Sequence, residues 1–432
     1  MASAILHIKD AYYFEVPRAL KRSNRQSIGE FPEHYVRLDP DYQDWEADRQ
    51  YDGLAEIKAL KNVPAKESLV NQWHAWAHQD EHFAKPFDRF LEEAPSQKWF
   101  QDQVVVAPKP KQIKGESEAA HEARIDAWEA QKAKAEALRP EWDQVKTKSE
   151  SVAEYTTAEK NWSAEKLAEY NTMLDGKILI PQPFGGKLKN NYEKESGFAI
   201  SKFMVLEALV AVVLIAIFWR LAQRVRDGRP AKGRLWNMFE AFLLFIRDEV
   251  ARPAIGHHDA DRFVPLLWTI FMFILGLNLL GMVPWMGAPT ASFSVTLAMA
   301  AVTFVTVVIA GSLRFGFIGF WKNQVPSMGL PMPLAIPIVP MLFAIEVLGL
   351  FIKHAVLGVR LLANMVAGHL VLLAIMGIAV AAASSSMWPA AATISILGSA
   401  MFSILELFVA FLQAYVFTFL SALFIGAAVH HH

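Results

Sequence analysis

Long apolar segments in the C-terminal half constrain this chain more than any other feature of its sequence. Residues 263–313 contain no Asp, Glu, Lys or Arg. Beyond Lys322 the charged residues are Glu346, Lys353, Arg360 and Glu406. A helix needs about 20 consecutive apolar residues to cross a bilayer, and several segments reach or exceed that length. The overall hydrophobic share of 53% therefore averages a membrane domain and a polar extension.

This pattern predicts an all-α integral membrane protein with about five transmembrane helices. We expect the helices at residues 200–221, 263–283, 293–313, 333–383 and 390–429. The last two segments are far longer than one perpendicular crossing requires, so we expect them to form a strongly tilted or bent hairpin.

One further amphipathic segment, residues 234–253, predicts a helix that lies in the membrane interface. Aromatic residues such as Trp236 and Phe239 share this segment with Glu240, Arg247 and other charged residues. It is too charged to cross the membrane comfortably.

The distribution of basic residues predicts the orientation of the chain in its membrane. The loop after the first span contains six Lys or Arg residues between Arg220 and Arg234, and such loops face the cytoplasm. We therefore expect the N-terminus and its polar extension outside the cytoplasm, and the C-terminus inside. The first residues lack the features of a secretory signal or transit peptide, so we interpret them as mature sequence.

The sequence divides into a short N-terminal segment at residues 1–18, a polar and mostly helical insertion at 19–185, and a membrane domain at 198–432. The insertion includes an Ala-, Glu- and Lys-rich helical run at 116–170. The absence of cysteine excludes disulfides and thiol chemistry, and a net charge of −1 gives no support for nucleic-acid binding.

Arg360 is the most informative residue because it places a permanent charge inside an apolar helix. Such a residue costs at least about 2.5–3.5 kcal/mol at the centre of a span and usually faces a partner or an ion pathway. Arginine cannot escape this cost by losing its proton, since its pKa lies above about 12. A fixed positive charge at this position would attract a carboxylate and oppose the passage of a cation.

The neighbouring polar residues form two groups when they are placed on helices. At 100° per residue, Glu346 and Lys353 share one side with Arg360, and Asn364 follows one turn later. His369 points roughly the other way, and Glu406 shares a face of the next helix with Gln413.

Two long motifs around these residues resemble subunit a of the F-type ATP synthases. They are VLGLFIKHAVLGVRLLANMVAGH and ELFVAFLQAYVFTFLSALFI. The upstream segments NLLGMVP, PTASFSVTLAMA and ILHIKDAYYFEVP are also similar to that family. The resemblance covers about residues 198–429 and the first seventeen.

The resemblance implies a role for each polar residue. Arg360 would be the arginine that faces the ring of c subunits and pairs with their carboxylates. His369 and Glu406 would line the inlet half-channel, and Glu346 the cytoplasmic half-channel. Asn364 and Gln413 match polar residues close to the arginine.

The resemblance also implies partners: the c-ring, the b subunits and other stator parts, together with membrane lipid. It implies a non-catalytic ion-translocating subunit of a bacterial inner membrane, without cofactor or metal. His354 departs from the family pattern, which often has proline there, and Gly281 and Ser292 stand where some members have aspartate. The family does not account for the insertion.

Two other classes of function remain open from the sequence. A secondary transporter or channel could use Arg360 to bind an anionic substrate, and a membrane-anchored structural protein could act through its extension. His74, His78 and His82 would align on a helix, so a metal site is conceivable there, although a solvated polar stripe is the simpler interpretation.

Overall fold

The structure of the protein is a computed structural model that describes residues 9–79, 82, 85–106, 108–111, 117–149, 151–158, 163–226, 233–283, 285–324 and 332–430. The chain forms two compact units. The membrane unit comprises Met1–Val16, Ile178–Gly186 and Gly197–His432, and the extension unit comprises Pro17–Lys177 and Lys187–Ser196. The predicted boundaries of 1–18, 19–185 and 198–432 stay predictions.

The extension unit is mainly helical, as the described residues show. Its helices are α1 (Glu33–Val36), α2 (Pro40–Glu56), α3 (Lys66–Ala77), α4 (Phe87–Glu93), α5 (Lys98–Val104), α6 (Glu118–Ser149), α7 (Val152–Thr157) and α8 (Ala164–Leu174). Single 3₁₀ turns occur at Ile28–Glu30 and Pro95–Gln97.

Aromatic residues form the core of the extension. Trp73, Phe100 and Trp142 are almost fully buried, and the rings of Phe100 and Trp142 meet edge to face with their centroids 5.2 Å apart. Large aromatic side chains bury 150–250 Å² each, so a few of them stabilise a unit of this size. Ala135, Leu138 and Trp142 lie on one side of α6, because their spacing follows the helical period.

Four short strands pair in two small sheets that the sequence did not predict. Strand β1 (Tyr13–Glu15) pairs with β2 (Lys177–Leu179), and β3 (Lys187–Leu188) pairs with β4 (Lys194–Ser196) in antiparallel orientation. Each strand has two or three residues, which is too short for an alternating pattern to be visible in the sequence.

The membrane unit contains the long apolar helices. Its elements are α9 (Lys202–Val225), α10 (Arg234–Phe245), a π-helical segment (Ile246–Ala251), α11 (Arg252–Ile255), α12 (Ala260–Gly281), a 3₁₀ turn (Pro289–Ala291), α13 (Phe293–Phe315), α14 (Phe317–Lys322), α15 (Met332–Ala381) and α16 (Trp388–Val429). Five of these, α9, α12, α13, α15 and α16, are long and apolar enough to cross a membrane. The predicted all-α, multi-pass membrane fold is thus confirmed.

Helices α15 and α16 pack along each other and against α13 and α12. Their apolar stretches of 44 and 42 residues correspond to about 63–66 Å at 1.5 Å per residue, roughly twice the hydrocarbon thickness. The two helices must therefore tilt, curve or extend beyond the bilayer core.

The segment predicted as one interfacial helix is helical but interrupted. A π-helical turn separates α10 from α11, and Asp248 in that turn forms ion pairs with Arg247 at 2.9 Å and Arg252 at 2.7 Å. These arginines hold the pKa of Asp248 below its usual value, chiefly through the hydrogen bonds from Arg247. The segment neutralises much of its own charge.

Candidate functional site

The helical hairpin brings His369 of α15 against Glu406 of α16. The Nδ1 atom of His369 lies 3.0 Å from Oε1 of Glu406, and the two side chains are 10% and 8% exposed. The other ring nitrogen, Nε2, lies 3.1 Å from the carbonyl oxygen of Gly281. A carbonyl can only accept, so Nε2 carries a hydrogen.

This geometry places the remaining ring nitrogen beside a carboxyl oxygen. With Nε2 protonated, a further proton on the pair resides on Nδ1 or on the carboxyl group, and the 3.0 Å separation is short enough for transfer between them. Two buried groups that share a proton can exchange it without leaving either charge isolated in an apolar environment. The pair is chemically suited to receive and pass on a proton.

A second polar contact lies beside this pair. Nδ2 of Asn364 donates a 2.7 Å hydrogen bond to Oε1 of Gln413. The two amides and Glu406 line a small cavity of about 20 Å³. A cavity holds a water once it offers about 10–15 Å³, so this one has room for a single molecule in contact with both amides and the acid.

Asn278 of α12 completes the wall of this cavity, and the sequence analysis missed it. Its Nδ2 donates to the carbonyl of Ala410 at 3.3 Å, while its Oδ1 is buried without a hydrogen-bond partner among the described residues. A survey of charged residues cannot find a neutral amide. Asn278 could have been identified from the sequence as a primary amide inside the apolar segment 263–313, since a buried polar group in such a segment requires a partner.

Arg360 lies four residues, or about 6 Å along the α15 axis, before Asn364, and it forms no ion pair with an acidic residue in the described part of the chain. Its Nε and Nη2 atoms are buried, and neither makes a hydrogen bond to a described residue. A buried, unpaired guanidinium nitrogen costs several kcal/mol unless a partner satisfies it. The described residues therefore leave two donor nitrogens of this partly exposed side chain available to an acceptor.

Glu346 lies in a different cavity, of about 460 Å³, on the other side of Arg360 along α15. Lys353, Asn323, Gln324 and His430 also line it. This cavity and the small one beside Glu406 share no lining residue. Glu346 lies about 21 Å from Arg360 along the helix axis and His369 about 14 Å, so the two polar regions span about the thickness of a bilayer.

The three histidines of α3 and the following turn do not converge. His74 contacts Asp44 at 3.1 Å, and His78 bonds to the His74 carbonyl at 2.7 Å. His82 stacks on Trp76 with ring centroids 4.2 Å apart. Among the described residues no cluster of three or more metal-ligating side chains occurs, so the described geometry favours ordinary polar contacts.

The fold and these contacts define a class: a multi-pass membrane protein with ionisable side chains in the interior of its spans. Residues 204–426 match the family described as ATP synthase A chain. The chain belongs to this family, the a subunits of the F-type ATP synthases.

Similar proteins extend the same assignment. The chain is 41% identical over 237 residues to ATP synthase subunit a of Myxococcus xanthus, an alignment that covers 54% of this chain and 75% of the relative. It is 38% identical over 263 residues to ATP synthase subunit a 2 of Chlorobaculum tepidum, covering 60% and 72%. For Anaeromyxobacter sp. strain Fw109-5 the identity is 43% over 222 residues, but the alignment covers only about half of either chain, 51% and 52%.

As a member of this family, the protein belongs to the proton-conducting membrane sector of an ATP synthase. It is a subunit that is not itself catalytic, and it associates with other subunits of the complex. It favours this role over the transporter alternative. The family match begins at residue 204, so the extension unit lies outside it.

Proposed function

We propose that this chain is the stator subunit that loads and unloads protons on the c-ring through two offset half-channels, with Arg360 as the barrier between them. The observation that carries the proposal is the unsatisfied guanidinium of Arg360. It lies between two separate polar regions, and its Nε and Nη2 find no partner in the described chain. A carboxylate on a c subunit would supply that partner.

The inlet half-channel begins at the pair of Glu406 and His369. A proton accepted there passes to the small cavity, whose walls include Asn278, Asn364 and Gln413. These amides can orient a water as donor or acceptor but do not ionise in the physiological range. The proton then reaches a c-ring carboxylate, which becomes neutral and can enter the lipid at much lower cost.

Arg360 keeps the two half-channels from forming a direct leak. A proton at 4 Å from the guanidinium meets a repulsion of about 4 kcal/mol at an effective dielectric constant of 20. The same charge attracts a c-ring carboxylate that returns on the far side and favours release of its proton towards the cavity of Glu346. A potential of 100 mV contributes about 2.3 kcal/mol for each proton that crosses.

The proposed orientation places the extension unit and N-terminus outside the cytoplasm and the C-terminus inside, with the c-ring, b subunits and other stator parts as partners. It rests on the basic loop after α9. Because the chain has no cysteine, single-cysteine variants such as Ala168→Cys in the extension and Gln223→Cys after α9 can be labelled selectively. A membrane-impermeant maleimide should label Ala168→Cys in intact cells and Gln223→Cys only in inverted vesicles.

Arg360→Gln tests the barrier. In inverted vesicles that contain the complete ATP synthase, the variant should assemble but show no ATP-driven acidification, because the amide can neither repel a proton nor pair with a carboxylate. Arg314→Gln is the matched control, since Arg314 is exposed at the end of α13. Normal coupled pumping by an assembled Arg360→Gln enzyme would refute the proposal.

A further inference from the structure

His354 is a buried imidazole on α15 that the proposed half-channels do not use. Its side chain is 3% exposed and points into an apolar environment between α13 and α16. The ring centroid lies 5.3 Å from that of Phe304 and 4.8 Å from that of Phe424. An apolar ring would satisfy this packing equally well, so the presence of a titratable one calls for an explanation.

The hydrogen bonding of His354 fixes its tautomer. Nδ1 lies 2.8 Å from the carbonyl oxygen of Leu350, which can only accept, so Nδ1 carries the hydrogen. In the neutral ring Nε2 is then a basic nitrogen with a free lone pair. Nε2 is buried and has no hydrogen-bond partner in the described chain.

The imidazole lies directly behind the wall of the Glu346 cavity. Phe424, which contacts the ring, and Leu350, which holds Nδ1, both line that cavity. Phe424 is partly exposed, and exposed side chains change rotamer within picoseconds to nanoseconds. A rotation of the Phe424 side chain would connect Nε2 with the cavity without any change in the helices.

Resting on the half-channel proposal, we propose that His354 is a further proton-accepting residue of the Glu346 cavity, where it stores one proton and returns it as the Glu346 carboxylate loses its own. The step is a simple proton transfer. Nε2 accepts H⁺ from the cavity and forms an imidazolium whose Nδ1–H still donates to the Leu350 carbonyl. The new Nε2–H bond later breaks, so that the ring becomes neutral again and Glu346 is reprotonated.

Charges on the surrounding helices bias this equilibrium in opposite directions. The other ionisable groups on α15 itself and on the elements around it are Glu346, Lys353, Arg360, His369, Arg314, Lys322, Glu406, Tyr415 and His430. Lys353, the adjacent residue, opposes a second positive charge, whereas Glu346 favours it. The imidazole therefore exchanges its proton with the cavity rather than retaining it permanently.

A stored proton should affect the pumping rate most at high pH, where few protons are available in the medium. The test therefore compares pumping rates at high and low pH. Inverted vesicles expose the cytoplasmic face, so the pH of the medium titrates this cavity during ATP-driven pumping. His354→Phe preserves an aromatic ring at the position but removes the acceptor. We expect it to pump at about one third of the wild-type rate or less at pH 8.5, and near the wild-type rate at pH 6.

Dividing the pumping rate of the variant by that of the wild type at each pH removes the pH dependence of the catalytic sector, which both enzymes share. A ratio that is the same at all pH values, whether near one or reduced, would show a purely structural role and overturn the inference. If His354→Phe fails to assemble, His354→Gln takes its place with the same expectation. Arg360→Gln in the same assay separates the two proposals: normal pumping by that variant refutes the half-channels, whereas an unchanged ratio for His354→Phe alongside an inactive Arg360→Gln overturns only this inference.

Discussion

The carboxyl group of Glu406 occupies the space that a side chain at position 368 would need. A Cβ built on Gly368 would lie 2.7 Å from Oε1 of Glu406 and 3.3 Å from its Cδ. Gly368 immediately precedes His369, so the absence of a side chain at one position allows the acid to reach the histidine at the next. The contact between α15 and α16 depends on this glycine as much as on the two ionisable residues.

Replacing Gly368 with alanine should therefore slow proton transfer without removing any ionisable group. The methyl group must displace the carboxyl group from His369, at a cost of about 1–3 kcal/mol for added volume in a packed site. We expect ATP-driven acidification of inverted vesicles to fall about tenfold, which corresponds to about 1.4 kcal/mol.

Gly377→Ala is the matched control for Gly368→Ala. It makes the same change in the same helix, but a Cβ at position 377 would meet no atom within 4 Å. Its pumping rate should stay within a factor of two of the wild type. Equal pumping rates for the two variants would mean that proton transfer does not depend on the present position of the Glu406 carboxyl group.

The contact between His369 and Glu406 predicts that their identities can be exchanged. Glu406→Gln and His369→Gln should each reduce coupled pumping strongly, because an amide leaves its partner without a group that accepts and releases a proton. The double variant His369→Glu with Glu406→His restores one acid and one imidazole at the same two positions. It should recover a substantial part of the activity that His369→Glu alone loses.

A double-mutant cycle on pumping rates measures this coupling. Residues in direct contact typically show interaction energies of about 0.5–3 kcal/mol, whereas independent residues show almost none. Additive losses in the exchanged pair would argue that the two side chains do not act on the same proton. Assembly of the complex must be confirmed for each variant.

The spans could be predicted from the sequence, and Arg360 could be singled out there, because both features depend on local, one-dimensional properties. Helix length follows from apolar content, and a charge in an apolar helix is conspicuous whatever its surroundings. Contacts between polar residues of different helices depend on how the two helices pack against each other. The Asn364–Gln413 hydrogen bond and the position of Asn278 depend on the register between helices, which no periodicity in a single segment contains.

The extension shows the same limit more clearly. Its helices were predictable from composition, but its short strands were not, and neither were contacts such as that between His34 and Asn191, which are 157 residues apart. Contacts of this kind arise from tertiary packing, so a short sequence window does not contain the information needed to predict them.

His34 should make the stability of the extension depend on pH. Its Nε2 lies 2.9 Å from Oδ1 of Asn191, and burial lowers the pKa of the imidazole below its usual 6.5. The folded unit therefore favours neutral histidine, while the unfolded chain takes up a proton as the pH falls below about 6.5. Stability is complete above that pH and decreases below it, by at most about 1.4 kcal/mol at pH 5.5.

Urea unfolding of the full-length protein in nanodiscs, followed by tryptophan fluorescence, measures this effect. Between pH 7.5 and 5.5 the midpoint should fall more for the wild type than for His34→Gln, which has no proton to gain. His78→Gln replaces an exposed histidine and should keep the wild-type pH dependence. A midpoint that shifts equally in the wild type and His34→Gln would assign the pH dependence to other groups.

Asp39 links two helices of the extension, α2 and α8, and its loss should destabilise that unit. Its side chain caps α2 by accepting a hydrogen bond from the backbone N–H of Asp41, and it also accepts from Tyr170 and forms an ion pair with Lys166. The carboxylate is 8% exposed, so Asp39→Asn leaves the lysine of α8 partly buried without its full counter-charge. We expect a loss of about 2–3 kcal/mol in the free energy of unfolding, measured by the same urea titration at pH 7.5.

Asp52→Asn is the matched control for Asp39→Asn. It removes a carboxylate that is 69% exposed and pairs with Lys66, and it should cost less than about 0.5 kcal/mol. Similar losses for both variants would show that burial of Asp39 does not strengthen its contacts.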